Sequence, residues 1–144
     1  FQKVNEHFDF DLIQLPLSIL DRRLVNSEVL DKIYEKKIEI HARSVFLQGL
    51  LLMSQKTRPK KFNQWIELWN LWDEWLNDNH LTSLEASIRY AISLPQISKV
   101  LVGVDSSKQL LNIIHASDGV LPEIPSDLLI DDINLLDPSN WNNL

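Results

Sequence analysis

The sequence predicts an α/β fold whose strands run parallel and belong to a sheet larger than this chain alone supplies. Three observations predict it. Strand-like segments stand near residues 12–15 (a short apolar run), 38–42 (which alternates at its start) and 99–104 (rich in β-branched residues), each of a length that suits a strand. Helix-period segments lie between those runs, and alternation of this kind gives a parallel sheet joined by right-handed crossovers. Three strands are also few, since sheets usually have about 4–6.

Taken in order, Phe1 to Phe8 reads as the tail of a helix and Asp9 to Asp11 as a break. Leu12-Ile13-Gln14-Leu15 is the first strand, and Pro16, with no N–H to donate, should end its ladder. Asp21-Arg22-Arg23 is expected to be a solvated charge run. Ser27 should cap a helix reaching Lys37, with Val29, Leu30, Ile33 and Tyr34 on its inner face. Ile38 to Ala42 is the second strand, with a polar end at Arg43-Ser44, and Val45 to Met53 is irregular around Gly49. Lys56 to Lys61 is a basic loop, expected to be solvated. Phe62 to Asn77 is the clearest helix: Phe62, Trp65, Trp69, Trp72 and Leu76 recur at spacings of three and four, which marks a packing face.

Thr82 or Ser83 should cap the next helix, with Glu85 at the capping-box position, Ile88, Ala91 and Ile92 on the inner side and Pro95 at the end. Lys99 to Val104 is the third strand. Asp105-Ser106-Ser107 starts a helix over Gln109 to His115, and residues 116–144 form an acidic tail with Trp141 as a docking residue.

Composition narrows the function. The chain has 144 residues, 44% hydrophobic and 24% charged, enough for a packed core. A net charge of −6 argues against nucleic acid or an anionic membrane as partner. With no cysteine there is neither a disulfide framework nor a thiolate metal site, and the four histidines are too scattered for a metal centre. No apolar run approaches the roughly 20 residues of a membrane helix, and no signal peptide precedes the first strand, so a cytoplasmic location is expected. The absence of an initial Met suggests a fragment.

Three segments, in order, resemble the aldo/keto reductase family. Gln14-Leu15-Pro16-Leu17-Ser18-Ile19-Leu20-Asp21-Arg22-Arg23 is similar to the family's sixth-strand segment. Ile40 to Leu51, with Ser44 and Gly49-Leu50-Leu51, resembles the seventh. Pro95 through Gly103-Val104-Asp105-Ser106-Ser107-Lys108-Gln109-Leu110 resembles the eighth strand and its helix. The resemblance implies a partial (β/α)8 TIM barrel, residues 1–144 forming its C-terminal portion. It also implies an NAD(P)-dependent oxidoreductase acting on a small carbonyl or sugar-type substrate.

The family's catalytic Asp, Tyr, Lys and His belong to the first half of the barrel, so the resemblance supplies no catalytic residue here and implies that the chain is inactive alone. What it does imply is a cofactor site for NADP or NAD. Gln14 matches the residue that bonds the nicotinamide carboxamide. Arg43 stands where the family stacks an aromatic ring. Ser44, Phe46 and Gly49 fall in the pyrophosphate loop, and Gly103, Asp105, Ser106 and Gln109 surround the adenosine end. Backbone N–H groups at a helix start suit a phosphate, whereas Asp105 would accept from a ribose hydroxyl and favour NAD. Ser106 is equally an ordinary N-cap. His41 is expected to be a buried, hydrogen-bonded histidine. The alternative is a non-catalytic barrel relative serving in binding or subunit interaction, which the substitutions at Arg43, Asp105 and Ile113 fit. Exposed strand edges would favour self-association.

Overall fold

The computed structural model describes residues 9–144; the helix tail expected over residues 1–8 lies outside them. Strands β1 (Leu12–Pro16), β2 (Glu39–Arg43) and β3 (Lys99–Val100) form a parallel sheet in the order β1-β2-β3, as the alternation predicts. Among the described residues the sheet is open, and β1 and β3 are its edges. Gln14 lies beside His41 and Pro16 beside Arg43, while His41 lies beside Lys99. Pro16 belongs to β1 rather than stopping it early. Leu17 N–H donates to the Arg43 carbonyl at 3.0 Å, so the Pro16 nitrogen faces the open edge, where no donor is required.

The third strand is shorter than the expected 99–104. Leu101 N–H still donates to Ala42 O at 2.8 Å, but Ser44 then turns away with φ 61°. Beyond that bond, Val102 to Val104 run on with no strand partner among the described residues.

Alternation of side chains across the sheet divides it into two faces. Ile40 packs with Leu30, Ile33 and Ile38 under the helices, and Ala42 joins the larger core. Glu39, His41 and Lys99 share the other face. Glu39 Oε1 lies 2.8 Å from His41 Nε2 and 3.1 Å from Lys99 Nζ, so His41 is buried and hydrogen-bonded as expected.

The first crossover is broken in two, α1 (Arg23–Asn26) and α2 (Val29–Glu35). Ser27 therefore does not cap the second helix: its hydroxyl bonds back to Leu24 O, and Glu28 enters α2 from a left-handed conformation. Tyr34, expected on the inner face, is exposed, while Leu30 and Ile33 face in as expected. The charge run before α1 is not solvated either. Asp21 is buried and holds Arg23 through two hydrogen bonds of 2.8 and 2.9 Å.

The aromatic helix forms as a 3-10 segment (Lys60–Trp65) running into α3 (Ile66–Asp78). Phe62, Trp65, Leu68, Trp69, Trp72, Trp75 and Leu76 are all buried, so the stripe is a packing face. The preceding basic loop departs from expectation at Arg58, which is buried with its guanidinium 4.1 Å from the Trp69 ring centroid. Helix α4 (Ser83–Ser93) starts in a complete capping box, Thr82 with Glu85. Ile88 and Ala91 face inward, but Ile92 is exposed. Arg89 then ties α4 to the end of α5 (Ser107–Ala116) through the Ala116 carbonyl.

The tail is structural. It contributes a 3-10 turn (Ser126–Leu128), α6 (Ile133–Leu136) and a last 3-10 turn (Pro138–Asn143), and it lies along the Trp stripe. Trp65 donates to Asp132 at 2.9 Å and Trp75 to Glu123 O at 3.0 Å. Trp141 docks edge-on against Phe62, as its placement in the sequence suggested. Within the acidic tail, Asp132 is half-buried by this packing, while Asp131 stays exposed.

Candidate functional site

Loops at the C-terminal ends of barrel strands are where sites form, and here two clefts open at those ends. They flank the turn that follows β2. That turn is unusual: Ser44, Leu47 and Gln48 have φ of 61°, 47° and 53°, and Gly49 has 82°. A left-handed run at non-glycine residues costs conformational energy and persists only where packing enforces it. Burial of Val45, Leu47, Leu50 and Leu51 supplies that packing. Within the turn, Leu47 N–H bonds to Ser44 O, but Val45, Phe46, Gln48 and Gly49 N–H groups donate to no carbonyl among the described residues. Backbone N–H groups left free around a left-handed turn form a concavity suited to an anion.

The first cleft, about 190 Å3, is lined by Phe46, Leu52, Leu84, Gly103, Asp105, Gln109, Asn112 and Ile113. Three of the residues expected around the adenosine end, Gly103, Asp105 and Gln109, therefore meet in one place, joined by Phe46 from the expected pyrophosphate loop. At the start of α5, Ser106 Oγ accepts from Gln109 N–H at 3.2 Å, which makes it an N-cap. Gln109 Oε1 accepts from Asp105 N–H at 2.7 Å. Asp105 N–H and Gln109 N–H are thus engaged within the segment itself, and the Asp105 carboxylate is exposed beside them. The chemistry fits a planar base against apolar walls, with a hydroxyl donor at Asp105. It does not fit a second phosphate there, because like charges repel.

The second cleft, about 290 Å3, lies at the ends of β1 and β2. It is lined by Ser18, Asp21, Arg23, Arg43, Ser44 and Gln48 and by the tail residues Leu136 to Ser139. The Arg43 side chain is exposed, and its Nη1 donates to Ser44 Oγ at 3.3 Å. Arg23 is held protonated beyond its usual range, chiefly by its hydrogen bonds to Asp21. Asp137 accepts from Ser139 N–H at 3.0 Å, and this bond, with the Ser139 hydroxyl, holds its carboxyl below the usual carboxylate range.

Gln14 joins neither cleft: it is exposed on β1, on the sheet face shared with His41. Arg43 and Ser44 line the second cleft, Phe46 the first, and Gly49 sits in the turn between them. Sequence reasoning missed Leu52 and Leu84, which look like ordinary core positions, and missed the wall from the tail. Besides Trp141, the Asp-Pro step at 137–138, a common start for a helical turn, hinted at order there. Among the described residues no group of acidic or histidine side chains could hold a metal ion, and no helix is long and apolar enough to cross a membrane.

A search of curated proteins finds none that matches this chain. The model of the aldo/keto reductase family, in contrast, matches residues 1–125, a span that includes all three strands, the turn after β2 and the start of α5. The chain belongs to the aldo/keto reductase family.

Proposed function

We propose that this chain supplies the sixth to eighth β/α units of a (β/α)8 barrel and, with them, the cofactor side of an NAD(P)-dependent oxidoreductase. The observation that carries the reading is the turn after β2, whose free N–H groups lie between a base-sized cleft and a cleft bearing Arg43. In this reading Phe46 and Ile113 hold the adenine, Asp105 accepts from the ribose, and the Phe46 to Gly49 turn carries the pyrophosphate. Arg43 lays the face of its flat guanidinium against the nicotinamide, which leaves the N–H donors along its edge free, and Gln14 bonds the carboxamide. The dinucleotide, when bound, supplies a hydride for a carbonyl substrate. The chain's own residues bind and orient it, and the acid comes from the family's Asp, Tyr, Lys and His, which have no counterpart among these segments.

Because Asp105 faces the ribose, NADH should bind about tenfold more tightly than NADPH. Calorimetric titration measures this, with Phe46→Ala expected to weaken both. Tighter binding of NADPH, or no effect of Phe46→Ala, would overturn the assignment of this cleft.

The chain should also self-associate. Its sheet ends in two open edges among the described residues, and Leu110, Leu111 and Ile114 leave an apolar face exposed on α5. Sedimentation velocity at micromolar concentration is expected to show a dimer or larger species. A clean monomer would refute this part of the reading, and would leave the cofactor assignment standing.

A further inference from the structure

We propose that the second cleft is the substrate pocket and that it selects a small hydroxylated acid, gripping the anionic group with Arg43 and a hydroxyl with Asp137. Both charged residues line the same cavity, Arg43 at the end of β2 and Asp137 in the tail. No ion pair joins them. Arg23, the other cation of the cleft, is already committed to Asp21 in a bidentate bond. That leaves Arg43, whose hydrogen bond among the described residues is the long one to Ser44, with donors to spare for a ligand.

Asp137 decides what the rest of the ligand must be. Its carboxylate accepts from Ser139 and is held ionised, so it presents acceptor oxygens to the cavity. A ligand with acceptor oxygens at both ends would be repelled there. One with an anion at one end and a hydroxyl at the other satisfies both residues. This argues against the pyrophosphate of a dinucleotide as the occupant and for a substrate that brings its own carboxylate or phosphate. The tail wall lies past residue 125, where the family match stops. Selectivity of this kind therefore comes from a part of the chain that the family match does not include.

The inference deepens the dinucleotide reading, since a hydroxylated acid is the reduced form of a carbonyl substrate, but the cleft can be tested without any dinucleotide. Calorimetric titration of the protein would compare D-gluconate, D-glucose 6-phosphate, uncharged D-glucose, hexanoate and inorganic pyrophosphate. Gluconate or the sugar phosphate should bind, and which of them binds more tightly identifies the anion. Glucose and hexanoate should each bind about tenfold more weakly, each having lost one charge-assisted hydrogen bond. Arg43→Gln should abolish the preference for gluconate over glucose, and Asp137→Asn the preference over hexanoate. Arg43 is exposed and Asp137 lies on the surface turn, so circular dichroism should show both variants folded; if one is not, the ligand series on the parent protein still decides. Equal binding of glucose and gluconate, unchanged selectivity in Arg43→Gln, absence of any binding at millimolar concentration, or pyrophosphate binding more tightly than gluconate would each overturn the proposal. NADH failing to bind while gluconate binds would sink only the cofactor reading.

Discussion

Replacing Trp69 with alanine should cost about 3–5 kcal/mol of stability, enough to bring the fold close to its limit, since domains of this kind hold only about 5–15 kcal/mol in total. Trp69 is almost wholly buried, at 1% exposure, in the middle of the aromatic stripe. Its ring fills space that the surrounding core cannot close, and its indole N–H donates to Phe62 O at 2.9 Å. The ring also covers the buried guanidinium of Arg58. Arg58 makes one hydrogen bond, to Met53 O at 3.0 Å, and its Nε and Nη1 have no partner. Burial already lowers the affinity of this group for its proton. Taking the ring away would leave a buried charge with less to stabilise it. Urea denaturation followed by circular dichroism would measure the loss. Trp69→Phe, which keeps most of the volume and an aromatic face, should lose less than half as much. Equal losses in the two variants would show that the hydrogen bond, not the ring, carries the stability.

The stripe was legible because periodicity is a direct readout of burial: five aromatic or aliphatic residues at spacings of three and four can hardly face anything but a core. The parallel sheet was legible for a similar reason, since β1 is a short apolar run and β2 alternates apolar and polar residues, with helix-period segments between the strands. What could not be read was anything decided by distant packing. Nothing local to Ser27 says that α1 stops at Asn26. Asp21 and Arg23 look like a solvated pair until the fold buries the carboxylate, because sequence does not report how a charge run is covered. Val102 and Val104 have strand propensity, but a strand also needs a neighbour, and β2 has turned away at Ser44. The site divides along the same line. Phe46, Gly103, Asp105 and Gln109 meet because two βα loops end side by side, which strand order alone predicts. The wall that Leu136 to Ser139 give the second cleft depends on how a tail folds back across α3, and no short-range pattern encodes that.

The tail therefore offers the second large effect. Leu135→Ala should cost about 2–5 kcal/mol, as for other fully buried leucines. Leu135 has no exposed surface, and its carbonyl accepts the Trp141 indole N–H at 2.9 Å. Trp141 in turn packs on Phe62, and its carbonyl takes the Lys61 ammonium. A cavity at Leu135 would weaken the seat of α6 and, directly after it, the Asp137 wall of the second cleft. Leu129→Ala, at a position 45% exposed, should change stability by no more than about 0.5 kcal/mol. The informative measurement is native-state hydrogen exchange on the two variants. If the amides of α3 and α6 lose protection together in Leu135→Ala, the tail belongs to the same cooperative unit as the aromatic stripe. Position 137 is then held by the core itself, and the cleft keeps its shape without a ligand. If only the amides after Pro125 open, the tail is a separately melting strap. Ligand binding would then have to order it, and affinity at Asp137 would fall by the fraction of molecules in which the strap is open. The hydrogen bonds from Trp65 to Asp132 and from Trp75 to Glu123 span both parts, and they favour the cooperative outcome.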